Sequence, residues 1–284
     1  MTRTDGAGPA LSVGSADLPN TRRRGPRVRP PFTKRWVGAA SVVGGLIVWQ
    51  LIGEYGVKNS LFLATPLDAF QALVRLATAG TLWRDAGVSG LEFLLGYALG
   101  SLVGIVVGIS IASSRRLASV VNPWVAGFYA TPIIALAPLL ILWFGVGIAS
   151  KVAVVFSLVV FPVIISTNDG VRSTDRDTIE LARSFGATKG QLFLKLYLPS
   201  ALPQILTGLR LGIGRGLIGV VVGELFGATA GLGFLINNAA QVFDMPSLFA
   251  GLILFAAAGI LLTAGFEKAE KRIVHWENVG EVAK

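Results

Sequence analysis

Asp175-Arg-Asp-Thr-Ile-Glu-Leu-Ala-Arg-Ser-Phe-Gly-Ala-Thr-Lys-Gly-Gln-Leu-Phe-Leu-Lys-Leu-Tyr-Leu-Pro199 is a charged interruption between long apolar segments, built as two short helices. Asp177 is placed to cap the first, with Glu180 at the third helical position reaching back to the free amide. Gly186 ends that helix by taking the left-handed conformation, and Thr188 with Gln191 repeats the capping pattern for a second helix. Leu198-Pro199 is expected to stop it, because a residue before proline avoids the helical region. A capped helix pair outside the bilayer reads as a docking element for a partner.

On both sides of this pair the chain is apolar. Of its 284 residues, 53% are hydrophobic and 14% charged, with a mean hydropathy of +0.67. Six apolar runs, at 36–52, 91–112, 120–143, 152–167, 202–226 and 248–266, approach the roughly 17 to 25 residues that a bilayer demands. An all-α integral membrane protein of about six spans follows, with the helix pair between spans 4 and 5. Residues 36–270 make the membrane domain, with a short carboxy-terminal tail at 271–284. Residues 1–35, rich in Arg, Pro, Gly and Ser, read as a disordered basic tail. The tail sets topology or touches anionic lipid. A twin-arginine export signal fits it poorly, since the apolar run begins well past Arg24 and lacks a small-residue cleavage site.

The net charge of +9 raises nucleic acid as a partner, but the basic residues follow membrane topology and not one face of a soluble module. With the amino terminus inside, nineteen Lys and Arg fall in cytoplasmic segments and four on the other side. That asymmetry places both termini and the 175–199 pair on the cytoplasmic side of the membrane. The chain has no cysteine, which removes disulfides, thiolate metal sites and cysteine nucleophiles.

In the pair itself, Glu180-Leu181-Ala182, Gly186, Leu196 and Leu198-Pro199 stand at the spacing of the cytoplasmic loop of bacterial ABC importer permeases. That loop carries Glu-Ala-Ala, three residues, Gly, nine residues, Ile, one residue and Leu-Pro; here Leu181 and Leu196 are apolar replacements. Thr207-Gly208-Leu209-Arg210, Val222-Gly223-Glu224 and Gly231-Leu232-Gly233 further resemble the nitrate, taurine and aliphatic-sulfonate branch. The resemblance covers about residues 37–270. It implies a type I importer permease fold in which Glu180, Leu181, Ala182, Phe185, Gly186, Ala187, Leu196, Leu198 and Pro199 couple to a cytoplasmic ABC ATPase, in two copies. It further implies a bacterial inner membrane as the location, an extracytoplasmic solute-binding protein and a permease homodimer. ATP and Mg would be used by the ATPase and no cofactor by this chain.

Within the spans, glycines recur every four residues: Gly96, Gly100, Gly104 and Gly108, then Gly208, Gly212 and Gly216, then Gly219, Gly223 and Gly227. Small residues at this spacing let helices approach closely, inside one subunit or at a dimer seam. Pro123, Pro132 and Pro138 interrupt the third run and Pro162 the fourth, so these segments face protein or water, as kinks or as a translocation path. Arg215 falls near mid-membrane and Arg210 shallower; a buried cation faces a cavity or a structural partner. Glu224 lies on the opposite helical face from Arg215, which argues against a pair between them. Pro132, Pro138, Arg210, Arg215 and Glu224 are thus the translocation-path candidates. Residues 66–79 form an amphipathic helix with Leu67, Phe70, Leu73, Val74 and Ala77 on its apolar face. Gly231 opens a short helix that ends before Asp244-Met245-Pro246, as an outer gate, a contact for a binding protein or a connector.

No set of catalytic groups is visible, since the chain has one histidine, His275, near the end of the last span. It also lacks a phosphate loop, so ATP must be hydrolysed elsewhere. The expected function is the membrane-spanning permease of an ATP-driven importer for a small sulfonate-, taurine- or nitrate-like anion. A secondary transporter or channel is the alternative, against which the helix pair and the missing inverted repeat both argue. A membrane scaffold, the third reading, would show no ligand-dependent ATP turnover.

Overall fold

A computed structural model describes residues 31–56 and 62–274, with side chains from Trp36 onward. Helix α1 spans Pro31–Leu51, so residues 31–35, expected in the tail, belong to a helix. Residues 1–30 and 275–284, with Arg22-Arg23-Arg24 and His275, lie outside the described residues. The chain divides into two units, 1–47 and 48–284. The first is represented by α1 as far as Ile47; all that follows concerns the second.

A π-helical turn, Ile52–Gly56, follows α1. Trp49 Nε1 donates to the Ala64 carbonyl at 3.1 Å and its ring meets Phe249 with centroids 5.2 Å apart. Helix α2 (Pro66–Thr78) opens with a capping box between Thr65 and Asp68. Of its apolar residues, Leu73 and Ala77 are half-buried. Ala69 and Ala72 are buried, whereas Leu67, Phe70 and Val74 stay exposed. The small side chains let α2 lie close on its neighbours, which leaves the large apolar ones free for lipid.

The core is three long helices, α3 (Thr81–Ser113), α6 (Ile148–Arg172) and α9 (Leu198–Leu225). Valine ridges on α6 fill glycine grooves on both sides. A Cβ at Gly96 would meet Val155 at 2.5 Å, at Gly100 Val159 at 3.0 Å, at Gly104 Val163 at 2.7 Å and at Gly108 Thr167 at 2.6 Å. From α9, Gly219 abuts Val155, Gly216 abuts Val159 and Phe93, and Gly208 abuts Ser166. The glycines at all these positions pack inside one subunit. Stiff β-branched side chains against bare backbone give dense contact where burial from lipid supplies little driving force.

The run at 120–143, expected as one interrupted span, is two helices, α4 (Arg115–Ala130) and α5 (Ile133–Phe144), bent by 99°. Pro132 causes the break by holding Thr131 extended at φ −71°, ψ 133°. Pro123 and Pro138 are accommodated inside α4 and α5.

Leu198-Pro199 does not stop the second short helix. Helices α7 (Arg176–Ser184) and α8 (Lys189–Leu192) follow α6, and a π-helical turn, Phe193–Tyr197, carries α8 directly into α9. Proline has no amide for the Lys195 carbonyl; the wider turn, with the Leu198 amide on the Phe193 carbonyl, absorbs the loss. Lys189–Leu225 is thus one rod of 37 residues. Helices α10 (Leu232–Gln241) and α11 (Met245–Ile273) complete the fold, the latter capped by Asp244 and extending into the expected tail at 271–273.

Candidate functional site

Helix α7 is capped by Asp175 and not by Asp177. Asp175 Oδ2 accepts from the Thr178 amide at 3.1 Å and from its hydroxyl at 2.5 Å. Those two bonds hold the Asp175 carboxyl below the usual carboxylate range. Glu180 therefore lies beyond the third helical position and is exposed. Gly186 closes α7 as expected, at φ +79°, with its amide on the Arg183 carbonyl at 2.9 Å and the Ala187 amide on the Ala182 carbonyl at 3.1 Å. The Thr188 and Gln191 box is formed in both directions.

The pair presents Glu180, Leu181, Phe185 and Gly186 outward, with Leu181 59% and Phe185 84% exposed. Ala182, Ala187, Leu196, Leu198 and Pro199 are half-buried, and Leu198 packs on a cluster of Val171, Ala201 and Ile205. Phe185 is thus an exposed phenylalanine whose backbone is held in place by the caps at both ends of α7.

The charges of α9 part company. Arg210 pairs with Glu270 of α11. Arg215 is half-exposed; it donates to the Tyr129 hydroxyl at 3.0 Å, and its guanidinium carbon lies 4.9 Å from the ring centroid. Tyr129 stands just before the bend, so Arg215 and Pro132 come to the same region, while Pro138 belongs to α5, whose Ala137 packs with Val154, Leu158 and Val222. Glu224 goes elsewhere, as its helical phase required.

At the far end of the rod, Glu224 is 1% exposed and helps to cap α10. Gly231 precedes that helix and offers no side chain, so other helices satisfy its amides. The Gly231 amide donates to Asp85 Oδ1 at 3.1 Å and the Leu232 amide to Ser89 Oγ at 2.8 Å. The Gly233 and Phe234 amides both donate to Glu224 Oε2, at 2.5 and 3.4 Å, and Ser89 Oγ donates to Glu224 Oε1 at 2.5 Å. Buried Lys151 donates to the Gly227 carbonyl at 3.1 Å, and buried Glu92 completes the group. A side chain at Gly231 would overlap the Glu224 carboxylate.

Asp85 and Ser89 precede the apolar run that begins at 91, although α3 begins at Thr81, and Glu92 is a lone charge at the edge of that run. Their spacing of four and three residues on one helical face is the signal that would reveal them. Tyr129, Lys151 and Glu270 carry no comparable pattern.

A profile for binding-protein-dependent transport system inner membrane components matches residues 100–275. The chain belongs to this family. Within it, an aliphatic sulfonates transport permease protein, SsuC, of Bacillus subtilis is 33% identical over 95% of this chain and 98% of its own. The formylaminopyrimidine transport permease protein ThiX of Halalkalibacterium halodurans is 41% identical over 81% of this chain and 92% of its own. The taurine transport system permease protein TauC of Escherichia coli is 32% identical, covering 87% and 90%. Among solved structures, an amino acid ABC transporter chain superposes with a TM-score of 0.57 at 18% identity, over 72% of this chain and 97% of that one. An inward-facing MetNI methionine ABC transporter chain gives 0.57 at 20%, over 72% and 95%. The fold is that of a type I ABC importer permease, as the coupling-loop resemblance implied. The chain is an inner-membrane transport subunit and not an enzyme; ATP hydrolysis belongs to a separate ATPase.

Proposed function

We propose that two copies of this chain line the path of an importer for a small organic anion of the sulfonate or taurine class. A solute-binding protein delivers the anion from outside. Two copies of a cytoplasmic ATPase, using ATP and Mg, grip α7 and α8, and both termini of the permease lie on their side. The observation that carries this reading is the doubly capped helix pair with Leu181 and Phe185 outward. ATP-driven closure of the ATPases pulls the pair, and α9 conveys the pull to the far side. Arg215, half-exposed and bonded to the Tyr129 hydroxyl, is available to an anion at the α4–α5 bend. The aliphatic sulfonate and taurine relatives support that solute class, while the formylaminopyrimidine relative marks a second one.

The test is retention of the ATPase on detergent-solubilised chain, followed by taurine and methanesulfonate uptake into proteoliposomes with the binding protein present. Phe185→Asp and Gly186→Val are expected to lose the ATPase and ATP-dependent uptake. Uptake that proceeds without ATP and survives both changes would replace the importer with a secondary transporter.

A further inference from the structure

A cavity of about 540 Å³ opens where α3 ends, between the end of α6 and the α7–α8 pair. Five cations from four helices line it: Arg115 at the start of α4, Arg172 in the last turn of α6, Arg176 and Arg183 on α7, and Lys189 at the start of α8. Among the described residues, no acidic one is in its lining. Asp175, next to Arg176 in the chain, is turned to Thr178. Among the described residues the ion pairs are Arg75–Asp244 and Arg210–Glu270, so none of the five cations has a carboxylate partner. Arg115 and Arg172 also line a shallow, open groove that runs beside the cavity along α4, past Ser119 and Asn122.

Membrane topology accounts for the number of basic residues at this end. It does not account for their convergence on one concave surface, where like charges repel. We propose that this cavity binds a phosphate-bearing anion. The volume lies within the usual ligand range of roughly 300 to 1,000 Å³. Four guanidinium groups offer planar pairs of donors matched to phosphate oxygens, and Lys189 adds a point charge. The ligand is either the headgroup of an anionic lipid reached along the α4 groove or a soluble phosphate compound entering from the aqueous side. Bound, it ties the start of α4 and the end of α6 to α7 and α8. The site stands on its own lining, whatever protein the helix pair docks.

The experiment places the full chain in nanodiscs of phosphatidylcholine and titrates inorganic pyrophosphate by calorimetry. It then repeats the titration in discs containing phosphatidylglycerol, and counts retained lipids by native mass spectrometry. The expected result is saturable binding that weakens with added salt and falls by about tenfold or more in Arg172→Gln/Arg183→Gln. Lys268→Gln/Lys271→Gln on α11 is expected to leave it unchanged. If phosphatidylglycerol blocks pyrophosphate and is itself retained through Arg172 and Arg183, the lipid headgroup is the occupant. If pyrophosphate binds equally in both discs, the soluble anion is. Arg172→Lys/Arg183→Lys, which keeps the charge, is expected to recover part of the affinity and guards against loss through misfolding. The proposal is overturned if neither probe distinguishes the native chain from the cavity variant, or if the α11 control loses as much.

Discussion

Glu224 supplies from α9 the acceptor that Gly231 cannot offer its own helix, and it does so while almost wholly buried. Removing a buried acceptor strands its donors, at about 1–3 kcal/mol for each group left unpaired. Glu224→Ala is therefore expected to speed amide exchange across 231–242 far more than across the core of α6, with Glu224→Gln between the two; hydrogen-exchange mass spectrometry reads this directly. Ser89→Ala removes one acceptor and one donor and should act in the same segment more mildly. Asp175 carries a pH dependence of known sign. Thr178 depresses its carboxyl, so the cap is complete above the ordinary aspartate value of about 3.9 and is lost as pH falls through the lower folded value. Protection of the Thr178 amide, corrected for intrinsic exchange, should stay level from neutrality down to that range and drop only below it. Asp175→Asn should abolish the drop.

At the scale of elements, the glycine ladders make a sharp prediction. Gly104→Leu would drive a side chain into Val163, whose Cβ stands 2.7 Å from the added atom, and into the Val160 carbonyl at 3.0 Å. Overpacking of this kind costs about 1–3 kcal/mol or more, so the variant should unfold at lower denaturant in detergent. Gly127→Leu, with nothing within 4 Å, should not. The ladders were legible in the sequence because a spacing of four is a helical face, and the partner that fills them was not, because valines at 155, 159 and 163 are unremarkable in any apolar run. Capping chemistry was legible at Thr188 and Gln191 and at Gly186, where it is local. It misled at Asp177, because two aspartates two residues apart offer the same signature and only the Thr178 hydroxyl separates them. The 99° bend at Pro132 and the continuity through Pro199 are two outcomes of one residue type. A proline breaks a helix where the turn before it extends and is tolerated where that turn can widen.

For the whole molecule, membrane class and the importer family could be read from apolar runs and the helix pair, while the clamp on α10 needed Asp85 and Ser89, which lie outside any apolar run, to meet Glu224. Pro199→Ala restores an amide for Lys195 and is expected to favour an ordinary α-helical turn at 193–197. The prediction is retained ATPase binding with a lower ratio of solute moved to ATP hydrolysed, measured in proteoliposomes. The reason is angular. A rod of 37 residues, about 55 Å long at ~1.5 Å per residue, joins the helix pair at one end to Glu224 at the other. Its widened turn fixes a phase between the two, as the key on a shaft sets the timing of a cam. Dropping or adding one residue anywhere along it would hardly change its length, yet would turn one end against the other by about 100°. Timing, more than reach, is then what this rod holds constant.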